Sequence, residues 1–189
     1  TLSPIERTLS RDCRMKISGK ADRIDLAADP VSGKMLARVI DYKTGTHPFD
    51  ATRVYNGFDL QLLLYLFTLQ ENGIPTHAGE VIPAGAYYLH SYGLPSSLTA
   101  AEQAKRVKNA DFEVYDFTRS GIFLSEEGVI SAMLPADAAD ETNFTPITYS
   151  KQGVKATSGL LADREEFDVL KEVVLKFAAD CAEDILDGR

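Results

Sequence analysis

The stretch VIDYKTG, Val39 to Gly45, decides how this chain of 189 residues is read. Two β-branched residues run into an acid, a lysine follows two places later, and a glycine closes the segment. Side chains alternate across a strand, so Asp41 and Lys43 project to one face while Ile40 and Tyr42 project to the other. A buried strand ending in a carboxylate and an ammonium on the same face is built to meet something charged.

Working outward, residues 15–26 (MKISGKADRIDL) alternate loosely and predict a strand carrying Asp22. AADPVSGK, with Pro30 and Gly33, reads as a turn, and MLARVIDYKT (Met35 to Thr44) as the next strand, giving a hairpin with an eight-residue connection. Residues 46–56 read as loop. Phe58 to Gln70 is helical in pattern and is stopped by Asn72-Gly73 and Pro75, with GFD (57–59) starting the helix. AGAYYLHSY (Ala84 to Tyr92) reads as a third strand reached by a crossover, with Tyr87 and Tyr88 on opposite faces, which makes the sheet mixed. TAAEQAKRVKN predicts a helix with Thr99 and Glu102 as capping box, and SEEGVISAML a short helix capped by Ser125. PADAADETNFTP reads as surface loop and SKQGVKATSG as a small hairpin. In the final segment, Phe167, Leu170, Val174, Phe177, Cys181 and Ile185 fall on one helical face, with Asp163 as cap and Gly188 past the end.

Composition excludes several classes. Net charge is −8, which argues against a broad basic nucleic-acid patch but not against meeting phosphates through a metal ion. The longest apolar run, LQLLLYLFTL (Leu60 to Leu69), is too short for a membrane span and carries Gln61. No signal peptide is visible, and the absence of an initiator Met leads us to expect a piece of a longer protein. Cys13 and Cys181 are too few and too distant for a disulfide framework or zinc site. Both read as reduced thiols of a cytoplasmic protein, Cys181 on the buried face of its helix.

Asp22 and Asp41 fall on neighbouring strands, where their carboxylates can converge. Two carboxylates and a backbone carbonyl make a hard oxygen site of the kind Mg²⁺ or Mn²⁺ takes, with Lys43 beside it to orient water or neutralise a phosphoryl transition state. The plain alternative is a solvated Asp–Lys pair. Gln61 and Tyr65 share a helical face and read either as a polar pair aimed at that site or as the exposed edge of a core helix.

GKADRID, VIDYKTG and LQLLLY, in that order, resemble the G-x-x-D, D-x-K and Q-x-x-x-Y motifs of the RecB-like branch of the PD-(D/E)XK nuclease superfamily. VYNGFDLQLLLYL, PAGAYYLH, FTPITYSKQGVKATSG, EEFDVL and ILDG further resemble the AddB family of bacterial helicase-nuclease subunits, so the likeness runs from about residue 15 to 188. The resemblance implies a restriction-endonuclease-like α/β fold, a mixed central sheet flanked by helices, with residues 1–189 forming a single nuclease domain of a larger subunit. It implies Asp22, Asp41 and the Tyr42 carbonyl as Mg²⁺ ligands (Mn²⁺ as substitute), Lys43 on the attacking water, and Gln61 and Tyr65 holding DNA or the catalytic groups. The implied partners are DNA, as a single strand from an unwound duplex end, and an AddA-type helicase-nuclease subunit, with no membrane. The family's additional histidine, upstream of the G-x-x-D strand, has no counterpart here, since His47, His77 and His90 come later. The family's 4Fe-4S cysteines are likewise not in this chain, so the cluster would belong to the parent. The rival readings are a non-catalytic DNA- or partner-binding scaffold with a nuclease fold, and a stand-alone Cas4-like enzyme. The intact set of five motif residues favours the nuclease.

Overall fold

The computed structural model describes residues 2–29, 31–45, 47–74, 79–90, 118–133, 147–150, 153–156 and 159–189. Its centre is a five-stranded sheet in the order β3-β4-β5-β6-β9, formed by β3 (Arg23–Ala28), β4 (Met35–Lys43), β5 (Val81–His90), β6 (Thr118–Leu124) and β9 (Gly159–Ala162). β4 runs parallel to β5 and β6 to β9, while β3–β4 and β5–β6 are antiparallel, so the sheet is mixed as expected. The crossover between β4 and β5 is made by α1 (Ala51–Tyr55) and α2 (Gln61–Asn72). Pro83, which has no N–H for the ladder, stands beside the register shift of β5 against β4, where a strand tolerates proline.

The strand expected over residues 15–26 is two strands in two sheets. β2 (Arg14–Ile17) pairs with β1 (Ile5–Thr8) in a separate ribbon, and the chain bends through 18–22 before β3. Gly19 breaks the run, and Asp22 lies in that bend rather than inside a strand. The region expected to be loop contains α1, capped by Asp50, whose carboxylate accepts the Thr52 N–H. α2 begins at Gln61, not Phe58, because Gly57 and Asp59 both take positive φ and hold a turn ahead of it. The remaining described elements are α3 (Glu127–Met133), the hairpin of β7 (Ile147–Ser150) with β8 (Gly153–Ala156), and α4 (Arg164–Leu186). The helix expected at 99–109, the loop at 135–146 and His77 lie outside the described residues.

The sheet separates two apolar clusters. On one face Val39, Ala86, Tyr88, Ile122 and Leu124 pack with Leu62, Leu66 and Phe67 of α2 and Phe167, Leu170 and Val174 of α4. On the other, Ile40, Tyr87 and Phe123 meet Ile130 of α3 and Ile147. Tyr87 and Tyr88 therefore take opposite faces. α4 is capped by Asp163 as expected, and Glu166 completes a capping box with it. Only its first half is buried, however: Cys181 and Ile185 are exposed, which corrects the expectation that Cys181 lies on the buried face of its helix.

Glu71, at the end of α2, ties three elements together. It pairs with Arg7 of β1 at 2.5 Å and with Lys171 of α4 at 3.3 Å. Burial opposes its charged form, but the hydrogen bond from Arg7 and the charge of Lys171 outweigh that and hold its carboxyl below the ordinary value. A depressed folded-state pKa stabilises above the unfolded value and is lost as pH falls through the folded one. Glu71→Gln is therefore expected to cost about 1 kcal/mol at neutral pH. Urea unfolding curves of variant and parent should converge as pH falls through the depressed folded-state pKa, where the parent carboxylate becomes protonated.

Candidate active site

The β3–β4 register places Arg23 opposite Ile40, so the next pair outward would set Asp22 opposite Asp41. The chain has left the ladder there, but the Tyr42 N–H donates to Asp22 Oδ2 at 3.1 Å and holds that carboxylate against the end of β4. The N–H and C=O of a strand residue share a side, so the Tyr42 carbonyl faces the same direction. Asp41 is only 6% exposed. Its Oδ2 accepts no directed hydrogen bond and meets the Lys43 ammonium at 2.7 Å as an ion pair.

Parallel pairing with β5 sets Tyr88 beside Asp41 and His90 beside Lys43. The Lys43 ammonium stands 5.2 Å from the centroid of the Tyr88 ring. Burial, then the negative charges of Asp59 and Asp41, push the Tyr88 hydroxyl up to about 12. His90 Nδ1 lies 2.6 Å from the Gly45 carbonyl; a carbonyl only accepts, so the ring donates from Nδ1 and pins the loop leaving β4.

α2 completes the face. Gln61 Nε2 donates to the Tyr65 hydroxyl at 2.8 Å, so the pair read from the sequence is a bonded pair. The Tyr65 ring lies so close to the backbone of Gly19 that a Cβ there would fall 2.3 Å from its Cε1. The glycine of G-x-x-D is thus the floor on which the tyrosine of Q-x-x-x-Y rests, and two motifs 46 residues apart are one contact (65 − 19). Lys43, Gly45, His47, Asp59, Gln61, Tyr88 and His90 line a cleft of about 220 Å³. Among the described residues, no three His, Cys, Asp or Glu side chains gather to hold a metal ion.

A family model for the PD-(D/E)XK nuclease superfamily matches residues 2–188. The chain belongs to that superfamily. Its restriction-endonuclease-like fold is the mixed sheet with flanking helices described above. The PD-(D/E)XK chain is also 32% identical over 187 residues to an ATP-dependent helicase/deoxyribonuclease subunit of Symbiobacterium thermophilum, covering 99% of this chain and 16% of that protein. The same-named proteins of Clostridium kluyveri and Bacillus subtilis are 29% and 28% identical, over 98% and 100% of this chain and 16% of each relative. The chain therefore spans about a sixth of the length of these curated relatives.

All five side chains singled out in the sequence lie on one end of one sheet face or on the helix beside it. Tyr88 and Asp59 were missed as site residues. Tyr88 reads as an ordinary sheet residue until the parallel register puts it next to Asp41, and Asp59 reads as the start of a helix until positive φ at that position turns it into the cleft. Arg23 and Asp25, on the opposite face, form an ion pair at 2.7 Å, and Arg38 adds a second contact to Asp25 at 2.6 Å.

Proposed function

We propose that this chain is the metal-dependent DNA exonuclease domain of an AddB-type helicase-nuclease subunit, cutting single strands from unwound duplex ends during double-strand break processing in the cytoplasm. An AddA-type subunit would supply the partner motor, and a 4Fe-4S cluster would belong to the parent protein rather than to these residues. The observation that carries the reading is the convergence of Asp22, Asp41, Lys43, Gln61 and Tyr65 at one end of the sheet, in a chain of the PD-(D/E)XK superfamily.

The donor set fits a hard divalent cation such as Mg²⁺, with Mn²⁺ as substitute. Asp41 Oδ2 is buried without a directed hydrogen bond, and Asp22 is held against the same strand end. Asp22, Asp41 and the Tyr42 carbonyl would hold the ion, which when bound supplies charge neutralisation at the phosphodiester and acidifies water. The reaction is hydrolysis: a water oxygen forms a bond to phosphorus, the P–O bond to the departing sugar oxygen breaks, and that oxygen takes a proton. Lys43 places a positive charge where negative charge develops on the phosphoryl oxygens. Tyr88, with its hydroxyl pushed up to about 12, stays protonated at neutral pH and donates rather than acting as base. The Gln61–Tyr65 pair fixes the wall of the cleft.

The direct test is cleavage of end-labelled single-stranded DNA by the purified chain in Mg²⁺ or Mn²⁺, beside Asp41→Asn. Metal-dependent cutting lost in the variant supports the reading. Binding without cutting in both would support the scaffold instead.

The motif contact makes its own prediction. Gly19→Ala must displace the Tyr65 ring and with it the hydrogen bond to Gln61. Gly19→Ala and Tyr65→Phe are each expected to slow cleavage about tenfold, as small misplacements of positioning groups do. The double variant should be no slower than the worse single one, because both break the same contact. Multiplying effects in single-turnover rates would show that Gly19 serves Asp22 alone.

A further inference from the structure

Phe58 is a large aromatic side chain left 58% exposed, directly before Asp59 in the chain, and Asp59 lines the cleft. A lone exposed phenylalanine is ordinarily unremarked surface. The backbone beneath this one is tied down. Its N–H donates to the Arg53 carbonyl at 2.9 Å, and Gly57 before it donates to Val54 at 2.9 Å. Gly57 has φ of 81° and would bring any Cβ to 3.3 Å from the ring of Phe177 on α4, so the turn is clamped onto a long helix. Asp59 takes φ of 56°, a conformation that costs free energy for any residue but glycine and that concentrates at functional sites. Its carboxylate meets Arg53 Nε at 2.5 Å, and the Arg53 guanidinium in turn lies over the Phe58 ring, 5.4 Å from the centroid. One side of the ring is thus backed by a cation while most of the ring remains open to water.

A fixed aromatic plane beside a phosphate-cutting cleft is what a strand of single-stranded DNA uses to seat a base, because every base has a face to stack and the contact is tolerant of sequence. We propose that Phe58, braced by Arg53, is a stacking platform for a nucleobase of the single strand whose backbone enters the Asp41–Lys43 site. The inference rests on the nuclease reading and adds to it the part of the substrate that is gripped. It also addresses an electrostatic problem. A chain of net charge −8 with aspartates around its cleft offers little general attraction to DNA, so contacts to the uncharged bases must help retain the strand.

The experiment is equilibrium binding of fluorescent oligothymidylate, and of an abasic oligonucleotide of equal length and charge, to the full chain in Ca²⁺. The wild type, Phe58→Ala and Phe58→Trp are compared, with melting temperatures measured for each. The wild type is expected to bind oligothymidylate about tenfold tighter than the abasic strand. Phe58→Ala should lose that advantage on oligothymidylate and leave abasic binding unchanged, and Phe58→Trp should restore it. If Phe58→Ala weakens both strands equally, or neither, the platform is overturned while the nuclease reading stands. A wild type that binds neither strand overturns both.

Discussion

Asp41→Asn is expected to reduce DNA cleavage by about a thousandfold or more, the scale set when several kcal/mol of metal-derived charge stabilisation are removed from a phosphoryl transition state. The variant should nevertheless fold as well as the parent. Asp41 is buried, its Oδ2 takes no directed hydrogen bond, and its one charged contact is with Lys43. Keeping a carboxylate at 6% exposure near a second carboxylate is a cost the fold carries, and the neutral, isosteric amide removes it. Two measurements separate the roles. Without divalent cation, the melting temperature of Asp41→Asn should equal or exceed that of the parent. With millimolar Mg²⁺ or Mn²⁺ the parent should gain stability by mass action and the variant should not. A variant that melts well below the parent without metal would mean that Asp41 is a structural partner of Lys43, and the loss of cutting would then say nothing about a metal.

Such an opposition between local stability and function explains which parts of the site were legible in the sequence. Asp41 and Lys43 stood out because strand alternation fixes their shared face whatever the rest of the chain does. Gln61 and Tyr65 stood out because four residues make one helical turn, and they are hydrogen-bonded. The final helix was visible through its apolar spacing and its Asp163 cap. What failed did so where no local period exists. The bend at 18–22 separates two strands that look continuous by alternation, and only the contact of Gly19 with Tyr65 shows why a glycine is needed there. The short helix α1 carries too few residues for a pattern. Cys181 keeps helical spacing with Phe167 and Val174 yet is exposed, because only the first half of the helix is packed into the core. Tyr88 required the parallel β4–β5 register, a long-range fact that no window of sequence contains.

Lys43→Met should dissociate metal binding from chemistry, which Asp41→Asn cannot do. In the present structure the Lys43 ammonium lies 2.7 Å from Asp41 Oδ2, the oxygen that a divalent cation would also seek. The ammonium and the cation are therefore competitors for one carboxylate before they are collaborators on one phosphate. Methionine keeps much of the stem that packs near Tyr88 while removing the charge. Removing the competitor is expected to leave affinity for Mn²⁺ equal or raised by a few fold, read as the midpoint of metal-induced stabilisation. Cleavage at saturating metal should still fall by about a hundredfold to a thousandfold, as when one preorganised donor to a developing oxyanion is lost. Lys43→Arg keeps the charge, but its planar fork cannot reproduce a point ammonium at that position, so little rescue is expected. The outcome that would sink this assignment is a parallel loss, with Mn²⁺ affinity and cleavage falling together in Lys43→Met. Lys43 would then act by holding Asp41 in place, and the charge facing the phosphate would have to come from elsewhere on the cleft.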